Sequence, residues 1–213
     1  MRIAILGAGG MTGERLIAEA LKRGHTVIGL ARTPANIKGD PAKVERRFGD
    51  AFDRQSVIDG LKGADAVITT VGKRDLLDKR YWLNTEAHRN VIDGMKAHSV
   101  KRLVAISSFG AALDFTRPGL RRKIYLYLRR NYYGDMQAME RMVLSARLEG
   151  VVVRAPMLYN TPARGSYHVE KNRNVPGGRS VSRDDLAVFV LDCIEKPDYV
   201  GHVVSLADQR DAA

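Results

Sequence analysis

Short apolar runs alternate along the chain with longer segments in which apolar residues recur at helical spacing. Helical patterns over residues 14–23, 54–61 and 85–97 separate the apolar runs RIAIL, TVIGLA, DAVITTV and RLVAIS. Strands that are apolar almost throughout are typical of a parallel sheet covered on both faces. Because crossovers between parallel strands are right-handed, the pattern predicts one α/β domain over residues 1–213, with a doubly wound parallel sheet in a three-layer αβα sandwich.

Two of the predicted helices carry clear end signals. Gly24 follows Lys22 and Arg23, at the position where a left-handed residue closes a helix. The last helix is predicted to begin after Ser182, whose hydroxyl can accept a hydrogen bond from the amide of Asp185. The boundaries of these two helices are therefore well marked.

Two longer segments without a regular pattern, residues 109–135 and 157–181, each follow a predicted strand. Ligands of open α/β sheets bind beyond the carboxyl ends of the strands. We therefore expect these segments to form the walls and the lid of a substrate pocket.

Composition excludes some classes of protein and leaves others open. A net charge of +11 suits binding to nucleic acid, to an anionic membrane surface or to an anionic dinucleotide.

Cys193 is the only cysteine, so an internal disulfide is excluded, and burial of this thiol in the last helix is the simpler interpretation. The five histidines lack ligand spacing, so no metal site is predicted. Because no signal peptide or membrane span is visible, we expect a cytoplasmic protein.

A glycine motif follows the first predicted strand directly. Gly7, Gly10 and Gly13 form the pattern G-x-x-G-x-x-G between that strand and the first helix. Glycine permits a positive φ at the turn, close approach of the backbone to a pyrophosphate, and close contact between helix and strand. The amides of Met11 and Thr12, at the start of the helix, would donate to phosphate oxygens. The motif predicts a dinucleotide site, although a glycine turn of this kind can also be purely structural.

The ends of the next strands indicate which dinucleotide binds and where. Arg32 stands where NAD-binding proteins usually carry an acidic residue for the ribose 2′-hydroxyl, and a guanidinium instead suits a 2′-phosphate. NADPH or NADP is therefore predicted over NAD, with a solvent-facing arginine as the alternative. Asp50 and Ala51 are placed to meet the adenine or to form a turn before the next helix. Val71 and Gly72 are placed to meet the ribose or to serve only a turn.

The fifth strand ends in Ser107 and Ser108, below the expected position of the nicotinamide. Ser108 can hydrogen-bond the carboxamide, the substrate or a transferred proton, or it can be a turn serine. Tyr132 is the second catalytic candidate. The Tyr-x-x-x-Lys helix motif of short-chain dehydrogenases is missing, because no lysine stands four residues after Tyr132 or Tyr133. No lysine is therefore placed to lower the pKa of either phenol.

Motifs spread over nearly the whole chain resemble one known group of proteins. They are GAGGMTG, LART, GDAFD, DAVITTVGKRD, residues 90–108, and the C-terminal strings GSYHVEKN, GRSVSRDDLAVFVLDCI and YVGHVV. By these motifs the chain resembles the atypical short-chain dehydrogenase/reductase family, which has a Rossmann fold. The likeness is greatest to the branch that contains biliverdin-IXβ reductase, also called NADPH-dependent flavin reductase, and its bacterial NAD(P)H-binding relatives.

The resemblance implies an NADPH site and assigns residues to it. The implied cofactor contacts are Gly7, Gly10, Met11, Thr12, Gly13, Arg32, Asp50, Ala51, Gly72 and Arg74. Ser108 matches the serine beside the nicotinamide, and Pro156, Met157 and Leu158 would flank that ring. Met157 corresponds to the active-site histidine of the branch, and the segment over residues 109–135 is longer and more basic here. A tetrapyrrole substrate is therefore not implied.

The basic stretch GLRRKIYLYLRRN, residues 119–131, has three interpretations. It can be a solvated amphipathic helix that caps the pocket, a lid whose arginines hold an acidic substrate, or a surface for anionic membrane or nucleic acid. Met136, Met139 and Met142 are predicted to pack in the core rather than to form a flavin shelf. We expect neither nucleic acid nor a membrane as partner, and a monomer rather than an oligomer.

Together these features predict an NADPH-dependent reductase. Its acceptor would be a planar small molecule that can be anionic, flavin first, acting as substrate rather than as a bound cofactor, with solvent or Ser108 supplying the proton. Two alternatives stay open. The chain can be a non-catalytic NADP(H) redox sensor that controls a partner, since the Tyr-Lys pair is missing, or a tailoring reductase or isomerase of a biosynthetic pathway.

Overall fold

The computed structural model describes residues 1–72, 82–112, 124–125 and 127–209, and within them it contains ten strands and five helices of at least seven residues. The strands are β1 (Arg2–Leu6), β2 (Thr26–Ala31), β3 (Val44–Phe48), β4 (Ala66–Thr69), β5 (Arg102–Ser108), β6 (Glu149–Ala155), β7 (Met157–Tyr159), β8 (Tyr167–Lys171), β9 (Ser180–Ser182) and β10 (Val203–Asp208). The helices are α1 (Met11–Lys22), α2 (Arg54–Gly60), α3 (Leu83–Ala97), α4 (Arg130–Ser145) and α5 (Arg183–Glu195).

Eight of these strands form one sheet, in the order β3-β2-β1-β4-β5-β6-β10-β8. The first seven are parallel neighbours, and the edge strand β8 runs antiparallel to β10. The strand order reverses its direction at the β1 and β4 pair, whose register runs from Ile3 opposite Ala66 to Leu6 opposite Thr69. The predicted doubly wound Rossmann sheet is therefore confirmed.

The two faces of the sheet bury alternate residues of each strand. On β1, Ile3 and Ile5 pack with α1 and α5, whereas Ala4 and Leu6 pack with α2, α3 and α4. All four side chains are at most 2% exposed. Because both faces are covered by helices, these strands are apolar throughout, which is the pattern seen in the sequence. The predicted three-layer arrangement is confirmed.

The two segments expected to be irregular contain more regular structure than predicted. Within residues 157–181, β7 pairs in parallel with β9 in a separate two-stranded sheet, and β8 extends the main sheet. Within residues 109–135, the described part contains a 3-10 turn, Phe109–Ala112, and the beginning of α4. β7 and β9 escape prediction because they have only three residues each, and β8 because none of its residues is fully buried and its sequence YHVEK has no apolar run.

The predicted helix ends and the buried thiol are confirmed. Gly24 has φ +82° directly after Arg23 at the end of α1, and the Ser182 hydroxyl accepts from the Asp185 amide at 2.9 Å. Cys193 is fully buried in α5, and this burial raises the pKa of its thiol to about 12. In the ranges that the structure describes, no helix has both the length and the apolar character needed to cross a bilayer.

Candidate functional site

The loops after β1 and β4 lie side by side where the strand order reverses. Thr70 donates from its backbone amide to the Leu6 carbonyl at 2.9 Å and from its hydroxyl to the Gly7 carbonyl at 3.2 Å. Gly7 has φ +93°, and a Cβ at this position would collide with Thr70 Oγ1. Glycine is therefore required twice over, by the backbone conformation and by the close neighbour. Doubly wound sheets bind their ligands in this crevice.

Gly13 lets α1 lie directly against the turn. A Cβ at Gly13 would collide with the Gly7 carbonyl oxygen and lie 2.7 Å from the Cα of Ala8. The position is buried, and the three heavy atoms nearest to that Cβ all belong to the backbone. Gly13 therefore brings the start of the helix to the end of the strand, as the motif predicts.

The N-terminus of α1 is open. Its N-cap is Gly10, which has no side chain, so no side chain accepts from the first amides of the helix. The amides of Met11 and Thr12 stand in the first turn, where no helical carbonyl lies four residues earlier. These donors and the positive end of the helix dipole suit a phosphate group. The cradle of glycine backbone and open amides fits the diphosphate of a dinucleotide.

Arg32 lies directly after β2, next to the glycine turn. The turn packs against this region, since a Cβ at Gly9 would lie 3.5 Å from the Cβ of Ala31 and 3.4 Å from the Cβ of Asn36. The Arg32 side chain is exposed and has no ion pair or hydrogen bond with any residue of the described ranges. An unpaired guanidinium beside the cradle is the donor that a 2′-phosphate would need.

The loop after β3 is held by hydrogen bonds to two helices and within itself. The Asp50 amide donates to Ser56 Oγ at 3.0 Å, and the Asp50 carboxylate accepts from the Phe52 amide at 3.1 Å. The Asn90 side chain, on α3, donates to the Ala51 carbonyl at 2.9 Å. Asp50 and Ala51 are thereby fixed at the carboxyl edge of the sheet, where adenine contacts are expected. The contacts themselves stay predictions.

Val71 and Gly72 follow β4 directly, and their environments differ. Val71 is partly buried against the α2, α3 and α4 face of the core. Gly72 is exposed, and a Cβ added to it would meet no atom of the described residues within 4 Å. No contact with a described residue requires glycine at position 72. The expected ribose contact therefore stays a prediction. Arg74 lies outside the described residues, as do residues 119–123 and 126 of the basic stretch.

The two serines at the end of β5 differ in what their hydroxyls do. Ser107 is buried and donates to Glu140 at 2.6 Å, and Arg154 donates to the two oxygens of the same carboxylate at 2.8 and 2.5 Å. The Ser107 side chain is thus bound to a buried ion pair, and its expected contact with the cofactor stays a prediction. Ser108 is partly buried and accepts from the Gly110 amide at 3.3 Å. That bond leaves the Ser108 proton to be donated elsewhere.

Tyr132 and Tyr133 lie in the first turn of α4. Tyr133 is buried with its ring against Gly110, where a Cβ would collide with it, and its hydroxyl lies 3.3 Å from that of Tyr125. Burial raises the pKa of the Tyr133 phenol above its ordinary value, and the Tyr125 hydroxyl adds to the rise. Tyr133 is therefore a weak acid. Tyr132 is partly exposed, 5.5 Å from Tyr133 between ring centroids, and its catalytic role stays a prediction.

Residues 156–160, which we call the strap, pass from β6 over the start of α1. The side chains of Met157 and Met11 are 62% and 60% exposed, and the Asn160 amide nitrogen lies 3.9 Å from the Met11 sulfur. Leu158 turns inward and packs against the core. The strap therefore presents apolar surface at the carboxyl edge of the sheet, where the nicotinamide is expected.

A cleft of about 230 Å³ opens beyond the strap. It is lined by Tyr159, Thr161, Arg164, Ser180, Val181, Ser182 and Asp208. The Arg164 guanidinium donates to the Asp208 carboxylate at 3.3 Å, so its charge is partly neutralised within the cleft. Across the described ranges, no group of three or more His, Cys, Asp and Glu side chains could hold a metal ion.

Two buried acidic residues of α4 escape the sequence analysis. Glu140 holds the ion pair behind Ser107, and Asp135 accepts from the backbone amide of Asn84 in α3 at 2.7 Å. Both stand next to Met136 or Met139, which are buried as predicted. An acidic residue on the apolar face of a predicted helix is the sequence signal that could have identified them. A buried carboxylate needs hydrogen-bond or ion-pair partners.

Comparison with protein families accounts for this arrangement. Residues 7–197 match the family described as NAD(P)H-binding. The chain belongs to this NAD(P)H-binding family. The match begins at Gly7, in the turn that forms the cradle, and extends past the end of α5. The residues at the cradle fit that assignment, because a Cβ at Gly7 or Gly13 would fill the turn.

Curated relatives of this NAD(P)H-binding protein align with it over different shares of their length. The protein YwnB of Bacillus subtilis is 25% identical over 212 residues, which cover 93% of this chain and 94% of that protein. Sterol demethylase protein B of Methylococcus capsulatus and an isoflavone reductase homolog of Zea mays are each 30% identical. Those two alignments cover 52% and 56% of this chain, and the chain spans only 35% and 38% of the length of these relatives.

Solved structures share the fold over the full chain. The oxidoreductase ylbE from Lactococcus lactis has a TM-score of 0.82 at 16% identity, covering 100% of this chain and 94% of that one. A wide-type short-chain dehydrogenase/reductase from Veillonella parvula, solved in complex with NADP, has a TM-score of 0.80 at 16% identity, covering 100% and 96%. At these identities the likeness shows the fold alone.

Proposed function

We propose that the protein is an NADPH-dependent reductase whose acceptor is a flavin or a similar planar molecule. The observation that carries the proposal is a set of donors, along one edge of the sheet, that have no acceptor in the described ranges. The N-terminus of α1 has no side-chain cap, and Arg32 beside it has no partner in the described ranges. Farther along the same edge, the Ser108 hydroxyl stands at the end of β5. A phosphorylated dinucleotide laid across the switch point would meet all three.

Arg32 supports NADPH over NADH. Its guanidinium is exposed next to the cradle, and a planar fork of donors matches a phosphate better than it matches a ribose hydroxyl. The Veillonella parvula protein with the same fold was solved with NADP. This likeness supports the proposal without deciding it.

When bound, NADPH supplies a hydride to the acceptor. The protein's own part is to hold and orient the reactants. The cradle at Gly7 and Gly13 would position the diphosphate, and Met11 and Met157, which are exposed, would shield one side of the bound cofactor from water. Ser108 donates its remaining proton, either to the nicotinamide carboxamide or to the acceptor. No strong acid is needed, which suits a site whose buried phenol, Tyr133, has a raised pKa.

The direct test is to follow NADPH oxidation by the purified protein with FMN, riboflavin and biliverdin, each against buffer. We expect turnover with at least one flavin. Ser108→Ala should lower kcat about tenfold, the equivalent of one good hydrogen bond in the reacting complex. Ser145→Ala is the matched control, because Ser145 lies at the far end of α4 and only donates to the Met142 carbonyl at 3.2 Å. Oxidation no faster than in buffer with every acceptor would refute the proposal.

One observation favours a second candidate, a non-catalytic NADP(H) sensor. Neither Tyr132 nor Tyr133 has a lysine four residues later, and Tyr133 is buried with a raised pKa, so the acid of short-chain dehydrogenases is missing. A sensor would bind NADPH tightly, turn over none of a broad panel of acceptors, and retain a partner in only one redox state of the cofactor. Turnover of a flavin excludes this candidate.

A further inference from the structure

The strap carries a polar group whose orientation is fixed. The Asn160 carboxamide oxygen accepts from Arg183 Nη1 at 2.7 Å, and the same nitrogen donates to the Leu158 carbonyl at 3.2 Å. A guanidinium can only donate, so the oxygen of Asn160 must face Arg183. The amide group of Asn160 therefore faces the other way, toward Met11, the first residue of α1.

The exposed Asn160 amide group has no oxygen acceptor among the residues that the structure describes. Its nearest partner in the described ranges is the thioether sulfur of Met11 at 3.9 Å, which is a weak acceptor. Arg183 also has an unused donor, because its Nε is buried and has no hydrogen-bond partner in the described ranges. Asn160 thus brings an unused N–H group to the first residue of α1, and the charged Arg183 lies directly behind Asn160.

The neighbouring helix, α5, has a side-chain cap at its N-terminus. Arg15, in the second turn of α1, pairs with Asp184, in the first turn of α5, at 3.3 Å, so the amino-terminal halves of the two helices lie side by side. At α5, Ser182 caps the Asp185 amide, and the Asp185 carboxylate accepts from the Ser182 hydroxyl at 2.7 Å. At α1, the corresponding donors have no side-chain acceptor. An anion bound at this pair of helix ends would therefore find open donors at α1.

The position of the strap indicates which part of the cofactor it would contact. The strap follows β6, which lies beyond β4 and β5, on the opposite side of the switch point from β2 and Arg32. If Arg32 holds the adenosine 2′-phosphate, the strap reaches the diphosphate from the nicotinamide side. Asn160 would then lie nearer to the phosphate that carries the nicotinamide ribose.

We propose that Asn160 is a cofactor-binding residue that donates its side-chain amide to the nicotinamide-side phosphate of NADPH, and that Arg183 is the positioning residue that fixes its orientation. This inference rests on the proposed function only in that the cofactor is NADPH. Asn160 itself is exposed, so its replacement should leave the fold intact. The strap would thus close the diphosphate site on the side opposite the glycine cradle.

The test compares two ligands by calorimetric titration, NADPH and adenosine 2′,5′-bisphosphate. The second ligand keeps the 2′-phosphate and one 5′-phosphate but lacks the nicotinamide-side phosphate. Asn160→Ala should weaken NADPH about tenfold and change the affinity for the bisphosphate less than twofold. Asn160→Asp, which retains an acceptor for Arg183 but adds negative charge, should weaken NADPH further, again with little change for the bisphosphate.

Arg183 is tested by a conservative pair of variants and a control. Arg183→Gln should weaken NADPH severalfold relative to the bisphosphate, and Arg183→Lys, which can still donate to Asn160, should restore part of the loss. Arg141→Gln, on the exposed face of α4, is the matched control and should change neither affinity. Thermal unfolding of each variant separates loss of binding from loss of fold.

The outcomes distinguish this inference from the proposed function. If the wild-type protein binds NADPH and Asn160→Ala binds it equally well, the inference is wrong while the reductase proposal stands. If Asn160→Ala loses both ligands to the same extent, Asn160 acts on the fold and not on the phosphate, and the inference is again wrong. If the wild-type protein binds neither ligand, both proposals are overturned.

Discussion

The carboxylate of Asp135, on α4, accepts a hydrogen bond of 2.7 Å from the backbone amide of Asn84, on α3. Its second oxygen accepts from the amide of Thr85 at 3.1 Å. Helix α3 has no side-chain cap of its own, since its N-cap residue is Trp82. An acidic residue of one helix therefore satisfies the first amides of another, and α4 is tied to the start of α3.

Asp135→Ala is expected to lower the free energy of unfolding by about 3 kcal/mol, because a helix cap is lost and buried donors are left unsatisfied. Asp135→Asn, which keeps one acceptor oxygen, should lose about half of that. Asp53→Ala removes the exposed cap of α2 and should lower the stability by only about 1 kcal/mol. Urea unfolding of the three variants measures these differences. An equal loss for Asp135→Ala and Asp53→Ala would show that the contact between helices adds nothing.

The fold and the cradle could be predicted because their signals are local. An apolar run of five or six residues indicates a buried parallel strand, and Gly7, Gly10 and Gly13 stand within one strand-turn-helix unit. Gly24 and Ser182 likewise mark helix ends through their own backbone or side chain. Each of these features depends on residues that are close together in the sequence.

The parts that escaped prediction depend on partners that are distant in the sequence. Ser107 and Glu140 are 33 residues apart, and Asn84 and Asp135 are 51 apart. No spacing rule connects such pairs, because only the packing of α4 on the sheet and on α3 brings them together. A single-sequence pattern could indicate that Glu140 and Asp135 are unusual core residues, but not what they bind.

Gly13 and Gly134 provide a contrast between a required glycine and a replaceable one. A Cβ at Gly13 would collide with backbone that cannot move away, so Gly13→Ala should lower the free energy of unfolding by about 2 kcal/mol or more. Gly134 lies inside α4 and has nothing within 4 Å of the added carbon, so Gly134→Ala should raise it by about 1 kcal/mol. Urea unfolding checks both signs. Destabilisation by Gly134→Ala would contradict the open space seen there.

The buried imidazole of His88 makes stability depend on pH. Its Nδ1 lies 2.8 Å from the Asn84 carbonyl, to which it must donate, so Nε2 accepts from the Thr69 hydroxyl at 2.7 Å. Burial lowers the pKa of His88 to about 4 in the folded protein. In the unfolded chain the pKa of histidine is about 6.5. Between these values the unfolded state binds the extra proton, so stability is lost as the pH falls from about 6.5 toward 4.

At pH 4 this linkage should remove about 3 kcal/mol of the stability present at pH 7. His88→Gln should be less stable at pH 7 but should lose less stability across the same pH range, because its side chain does not titrate. His168→Gln, at a half-exposed position on β8, should retain the wild-type pH dependence. Urea unfolding at several pH values gives the slopes. Identical slopes for the wild type and His88→Gln would rule out His88 as the source.

Arg32 offers the most direct measurement of cofactor preference, because its guanidinium has no partner in the described ranges that a substitution would strand. Arg32→Asp places a negative charge where the 2′-phosphate is expected. The variant should therefore weaken NADPH by about 1.5–3 kcal/mol more than it weakens NADH, which lacks that phosphate. Lys62→Asp makes the same change of charge between α2 and β4, at the amino edge of the sheet, and should leave both affinities nearly unchanged. If Arg32→Asp shifts NADPH and NADH equally in a titration, the guanidinium does not bind the 2′-phosphate, and the preference for NADPH has another origin.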